Sequence, residues 1–125
     1  MRLSKLNKQI EFSDYYNESF NWNDINVYKN KKFSITFYNT FVDKINWQYV
    51  SLYCQLTYKL CDTYKDKLDW RSISAMQQLT PKFMLRYKDY LNWYDISVFQ
   101  CLPKSFIRNN KSLIDFNRIF WKFSK

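Results

Sequence analysis

The chain has 125 residues, 20 basic and 11 acidic, for a net charge of +9; that length suits one domain burying about two-thirds of its unfolded surface. It contains no Gly and no His, which excludes a Gly-rich phosphate loop, a dinucleotide fingerprint, and Ser-His-Asp or Cys-His catalysis in their usual forms. Aromatic residues make up 22% of it, the bulk that a thin stack of short helices needs to fill its core.

In chain order the sequence reads as a repeat, which sets the architecture ahead of local propensity. A half unit is expected at about 10–21. There Phe12, Tyr16, Glu18, Phe20, Asn21 and Trp22 keep the spacing of Phe83, Tyr87, Asp89, Leu91, Asn92 and Trp93. The first full unit, 22–46, is two residues longer than the others, with the extra residues expected near 28–32. Units 47–69 and 70–92 share ten identities in 23 positions. Unit 93–115 keeps Trp93, Ile96, Ser97, Gln100, Leu102, Phe106, Lys111 and Ile114. A terminal half unit follows at 116–125, with Phe116 in the tryptophan column and Phe120 in the serine column.

Each unit carries two start signals for a helix. Asn21, Asn46, Asp69, Asn92 and Asp115 precede the aromatic column and are residue types that cap an N-terminus through a side-chain oxygen. Leu56-Thr57 and Leu79-Thr80 mark the second start, and Pro81 takes the first helical position. Two short helices per unit are therefore expected, each roughly 12–15 Å long, with turns near 44–46, 67–69, 90–92 and 113–115. Helices that short need neighbours to be stable. The fold expected is all-α: a single helical-repeat domain over 1–125, with about ten short helices stacked as a small α-solenoid.

The repeat columns also suggest roles. Trp47, Trp70, Trp93, Phe83, Leu79 and Leu102 are expected to be buried in one spine. Ser51, Ser74 and Ser97 should permit close helix approach. Gln55, Gln78 and Gln100 should satisfy free carbonyls at the end of the first helix. Asp43, Asp66 and Asp89 should organise the turn into the next helix.

Catalytic, metal and cofactor residues are all expected to be absent, and with them a small-molecule substrate. Cys54, Cys61 and Cys101 fall in different columns and form no C-x-x-C, so neither a zinc site nor a disulfide framework is expected. Reduced thiols suit an intracellular setting. The first residues lack the apolar core of a signal peptide, and no segment approaches the ~20 apolar residues of a membrane span.

The positive charge points to an acidic partner. Lys65, Lys88 and Lys111 share one column and Lys59 and Lys82 another, so stacking would turn each column into a ridge. These five lysines are the expected partner-binding residues. Fifteen Lys against five Arg favour an acidic protein surface over nucleic acid, where planar guanidinium groups usually read phosphates. Abundant Lys, Asn, Ile, Phe and Tyr are also what an AT-rich coding sequence supplies.

The block from Asp89 to Leu102, with Asn92-Trp93, Ile96-Ser97, Gln100 and Leu102, resembles a short Trp/Ile-Ser/Gln-Leu helical repeat of large DNA viruses and tailed phages. The resemblance covers about 10–124. It implies a helical-repeat architecture and a viral origin, with action in the host cytoplasm or nucleus or inside a virion, and brings no catalytic residues. The functional expectation is a non-enzymatic viral protein-interaction module. It would act as an adaptor to a host factor or as a minor component of a virion or assembly. Sequence-tolerant nucleic-acid binding is the alternative.

Overall fold

The computed structural model describes residues 12–118, and among them every regular element is helical. Seven α-helices lie wholly within the described residues: Ile35–Thr40 (α1), Trp47–Tyr53 (α2), Tyr58–Thr63 (α3), Trp70–Met76 (α4), Pro81–Arg86 (α5), Trp93–Phe99 (α6) and Lys104–Asn109 (α7). Short 3-10 turns occupy Ser13–Tyr16, Ile25–Val27 and Lys111–Leu113. The outer parts of the two expected half units, 10–11 and 119–125, lie outside the described residues.

Both start signals act as read from unit 47–69 onward, whereas Asn21 is followed only by a turn and the 3-10 helix of the first unit is capped by Asp24. The side chains of Asn46, Asp69 and Asn92 accept hydrogen bonds from Tyr49, Ser72 and Asp95 amides at the heads of α2, α4 and α6. Thr57 and Thr80 do the same for α3 and α5, and Pro81 is the first residue of α5. Such caps occupy amides that the helix itself leaves free.

The helices are shorter than expected, at six or seven residues. The second helix stops at Tyr64, Tyr87 and Asn110, and the turn begins there, about three residues earlier than the spacing suggests. These end residues take φ of −118°, −111° and −134°, so a left-handed cap, the usual place for Gly, is not used. Among the described residues only Asn30 has positive φ, at 58°, and Asn tolerates that region. A chain without glycine can therefore make all these turns.

The first helices of successive units pack side by side, α2 on α4 and α4 on α6. Their innermost column is Val50, Ile73 and Ile96, each 0% exposed. The tryptophans sit further out than the sequence suggests. Trp47, Trp70 and Trp93 are half-buried against the core, as are Leu79 and Leu102, while Phe83 is buried. The reason is the indole N–H, which must find an acceptor. Trp47, Trp70 and Trp93 Nε1 donate to the carbonyls of Val42, Lys65 and Lys88 at 3.0, 2.8 and 2.8 Å. Each bond pins the ring edge to the turn just before its own helix.

Hydrogen bonds join unit to unit through the buried serines. Ser51, Ser74 and Ser97 Oγ donate to the tryptophan carbonyl of their own helix at 2.7, 2.6 and 2.7 Å. Each Oγ also accepts the backbone N–H of the next unit's cap residue, Asp69, Asn92 or Asp115, at 2.8, 2.8 and 3.0 Å. Small size alone would not require a hydroxyl; the two-way bond does.

The glutamine column differs from the one expected. Gln77 Nε2 reaches the carbonyls of Ser51 and Cys54, both at 2.9 Å. Gln100 Nε2 repeats this on Ser74 and Gln77 at 2.9 and 2.6 Å. The column that joins the units is thus Cys54, Gln77 and Gln100, whereas Gln55 is exposed, with its Nε2 3.4 Å from Asn30 O, and Gln78 is exposed as well. Likewise Asp43, Asp66 and Asp89 are exposed in the turns, and the amides of the next helix go to Asn46, Asp69 and Asn92 instead.

In the first unit Tyr28 stands in for the serine. Its buried hydroxyl donates to Trp22 O at 2.6 Å and accepts Asn46 N–H at 2.9 Å. The equivalence places the two extra residues between Trp22 and Tyr28 rather than near 28–32, since Trp22 precedes Tyr28 by six positions and Trp47 precedes Ser51 by four. A longer side chain spans the wider gap. Phe12, Tyr15, Trp22, Phe33, Phe37 and Phe41 form an aromatic cluster centred on Phe37, with Phe33 and Phe37 stacked at 4.0 Å between centroids. No helix among the described residues is long and apolar enough to cross a membrane.

Candidate interaction face

The five lysines singled out from the sequence are all exposed. Lys59 lies in α3 and Lys82 at the equivalent position of α5. Lys65 and Lys88 lie in the turns after those helices, and Lys111 opens the 3-10 turn after α7. Turn geometry explains their outward placement. The residue before each, Tyr64, Tyr87 or Asn110, closes the second helix, and the Tyr64 and Tyr87 rings pack inward against Trp47 and Trp70. Lys65 Nζ sits 5.5 Å from the centroid of the Tyr90 ring, a weak cation–π contact at an exposed site.

Among the described residues none of these lysines forms an ion pair, although exposed Asp66 and Asp89 adjoin Lys65 and Lys88. Among the described residues the ion pairs are Arg71–Asp95 at 3.2 Å, Arg86–Asp62 at 2.6 Å and Arg118–Asp115 at 4.0 Å. All of them use arginine. Arg86 also lies 4.6 Å from the Tyr58 ring centroid. Asp62 accepts from the Tyr87 hydroxyl at 2.7 Å as well. The Arg86 guanidinium, followed by that hydroxyl, holds the Asp62 carboxyl below its ordinary range. Sequence reading missed these pairs. Asp62–Arg86 and Arg71–Asp95 are each separated by 24 positions, one repeat plus one, and opposite charges at that spacing were the available signal.

Two concave surfaces carry charge, one lined by Asp14, Asp24 and Lys31 and the other by Asp69, Arg71 and Asp95. A groove of about 360 Å³ runs between the heads of α3 and α5, walled by Leu56, Tyr58, Gln78, Leu79 and Phe83, and none of its lining residues is charged. Among the described residues no group of three His, Cys, Asp or Glu side chains is placed to hold a metal ion.

Cys54 and Cys61 are buried and Cys101 is exposed. Burial pushes the Cys54 thiol up to about 11 and the Cys61 thiol up to about 12. Thiolate is the reactive form, so in native protein at neutral pH a thiol reagent should label Cys101 alone, and all three cysteines after denaturation. The same shifts carry a stability consequence. A thiol whose folded value lies above its unfolded value of 9.0 contributes fully below that pH. The contribution is lost as pH rises through about 11 to 12. Urea unfolding midpoints should therefore fall as pH rises above about 9, and less so in a Cys54→Ala, Cys61→Ala variant.

Compared with protein families, curated proteins and solved structures, the chain matches none of them.

Proposed function

We propose that the chain is a non-enzymatic interaction module of viral origin, its units stacked as a small α-solenoid in one domain, which binds an acidic protein surface through its lysines. One observation carries the reading: among the described residues no lysine takes part in an ion pair, while Arg71, Arg86 and Arg118 are already engaged by aspartates. Cationic ends left to solvent are available to a partner's carboxylates, and complementary charge speeds encounter and fixes register. The same division disfavours nucleic acid, because three of the four guanidinium groups among the described residues, those that would best grip phosphates, already face aspartates, and Arg108 alone is in no ion pair. A non-enzymatic role is supported by the burial of the Cys54 and Cys61 thiols, which raises both above the ordinary thiol range. Free thiols in a buried core suit an intracellular setting.

The test is a salt titration of binding to an acidic protein, duplex DNA and RNA, with the wild type and a Lys65→Glu, Lys88→Glu, Lys111→Glu variant. The variant should fold normally, since exposed charges contribute little to stability. Acidic-protein binding should fall by about tenfold or more, with a shallower salt dependence. Tighter, steeply salt-dependent binding of nucleic acid by the wild type would favour the alternative. A variant that folds and binds like the wild type would reduce the lysines to a solubility feature.

A further inference from the structure

Lysine is distributed unevenly over the units. The first helices with their caps, 46–53, 69–76 and 92–99, and the start of the next, 115–118, contain none, in a chain with fifteen. Charge on this strip is Asp69, Asp95 and Asp115 against Arg71 and Arg118. Arg71 Nε lies 3.2 Å from Asp95 Oδ2 and Arg118 Nε 4.0 Å from Asp115 Oδ2, so both cations are answered locally. Three negative against two positive leaves the strip near neutral on a protein of net charge +9.

The strip also holds the most exposed large apolar side chains described, Met76 at 66% and Phe99 at 61%. They occupy the same position in α4 and α6, which pack side by side. Half-buried Leu52, Ala75 and Val98 run beside them at the preceding position of each helix.

We infer that this strip is the contact between two copies of the chain. A second copy carries the same +9 charge, and lysine-bearing surfaces of like sign repel one another. The lysine-free strip is where two copies can approach without opposing lysines. A two-fold axis brings the same patch to both sides, so Met76 and Phe99 of one copy would cover those of the other. Their apolar surface leaves water on contact, which favours association. The arginines arrive already paired, which lowers the cost of covering them. The lysines of both copies stay outside the contact. The inference stands independently of what those lysines bind, although a dimer would present them twice and gain avidity.

Sedimentation equilibrium of the full chain tests it, at low and at raised salt, with circular dichroism as the fold control. The wild type should show a reversible monomer–dimer equilibrium that shifts toward dimer as salt screens the remaining repulsion. Met76→Lys, Phe99→Lys should keep the helical spectrum and lose the dimer. If that pair alters the spectrum, Met76→Ser, Phe99→Ser removes the apolar surface without adding charge, and should weaken the dimer by about tenfold or more. A wild type that stays monomeric throughout overturns the inference, as does a folded variant that dimerises like the wild type. So does a monomer that uses Met76 and Phe99 to bind a different protein.

Discussion

Ile73→Ala is expected to lower the unfolding free energy by about 2–5 kcal/mol. The side chain is 0% exposed and lies in the middle first helix, packed between units that contribute Val50 and Ile96 to the same column. Removing its outer carbons leaves a cavity that helices of seven residues cannot easily close, because their ends are pinned by the serine and glutamine bonds. In a chain this size the melting temperature should fall by roughly 10–20 °C. Trp70→Phe is the informative comparison. It keeps an aromatic ring against Tyr87 and Tyr90 and loses the bond to Lys65 O, an exchange of about 1 kcal/mol. Thermal and urea unfolding would decide between them. A larger loss for Trp70→Phe than for Ile73→Ala would mean that the tryptophans form the innermost column after all.

Gln100→Leu is expected to cost about 2–4 kcal/mol, because it strands several backbone groups at once. The side chain is 8% exposed. Its amide nitrogen serves the carbonyls of Ser74 and Gln77, and its oxygen takes the Leu79 N–H at 3.4 Å. Leucine has a similar size, so the loss measures the hydrogen bonds rather than a cavity. Gln78→Leu, at an exposed position one residue beyond the column that joins the units, should change stability by no more than about 0.5 kcal/mol. Equal losses from Gln78→Leu and Gln100→Leu in urea titrations would show that the joint is not built as described. A cycle pairing Ser74→Ala with Gln100→Leu should be non-additive, since both act on the joint between α4 and α6.

The contrast between these glutamines shows what the repeat spacing left open. Gln55 and Gln78 recur at 23 residues and look like a column, while Gln77 stands beside them without an identical partner in the unit before. Cys54 holds that earlier place, and its thiol reaches Tyr28 O at 3.4 Å where the glutamines reach Ser51 O and Ser74 O. Position relative to the helix end decides the role, and identity counts use no such information. Tyr28 makes the same point, because a phenol replaces a serine hydroxyl only where two extra residues widen the gap. The lysines show the converse case. Their exposure follows from lying just past a helix end or on the outer side of a short helix, and local periodicity is enough to place them.

From the sequence alone came the repeat, its two helix starts in the units from 47 on, the all-helical character of the described residues and the columns on which lysine recurs. These are local properties: a cap bonds amides two or three residues away, and a helix face is fixed by its own period. Tertiary structure alone decided which side chains join the units, how deeply the tryptophans sit and which charges are spent on one another. Those outcomes depend on groups some 18 to 26 positions apart meeting at bonding distance. An indole N–H or a guanidinium goes where an acceptor waits, and only the packed neighbours determine where that is.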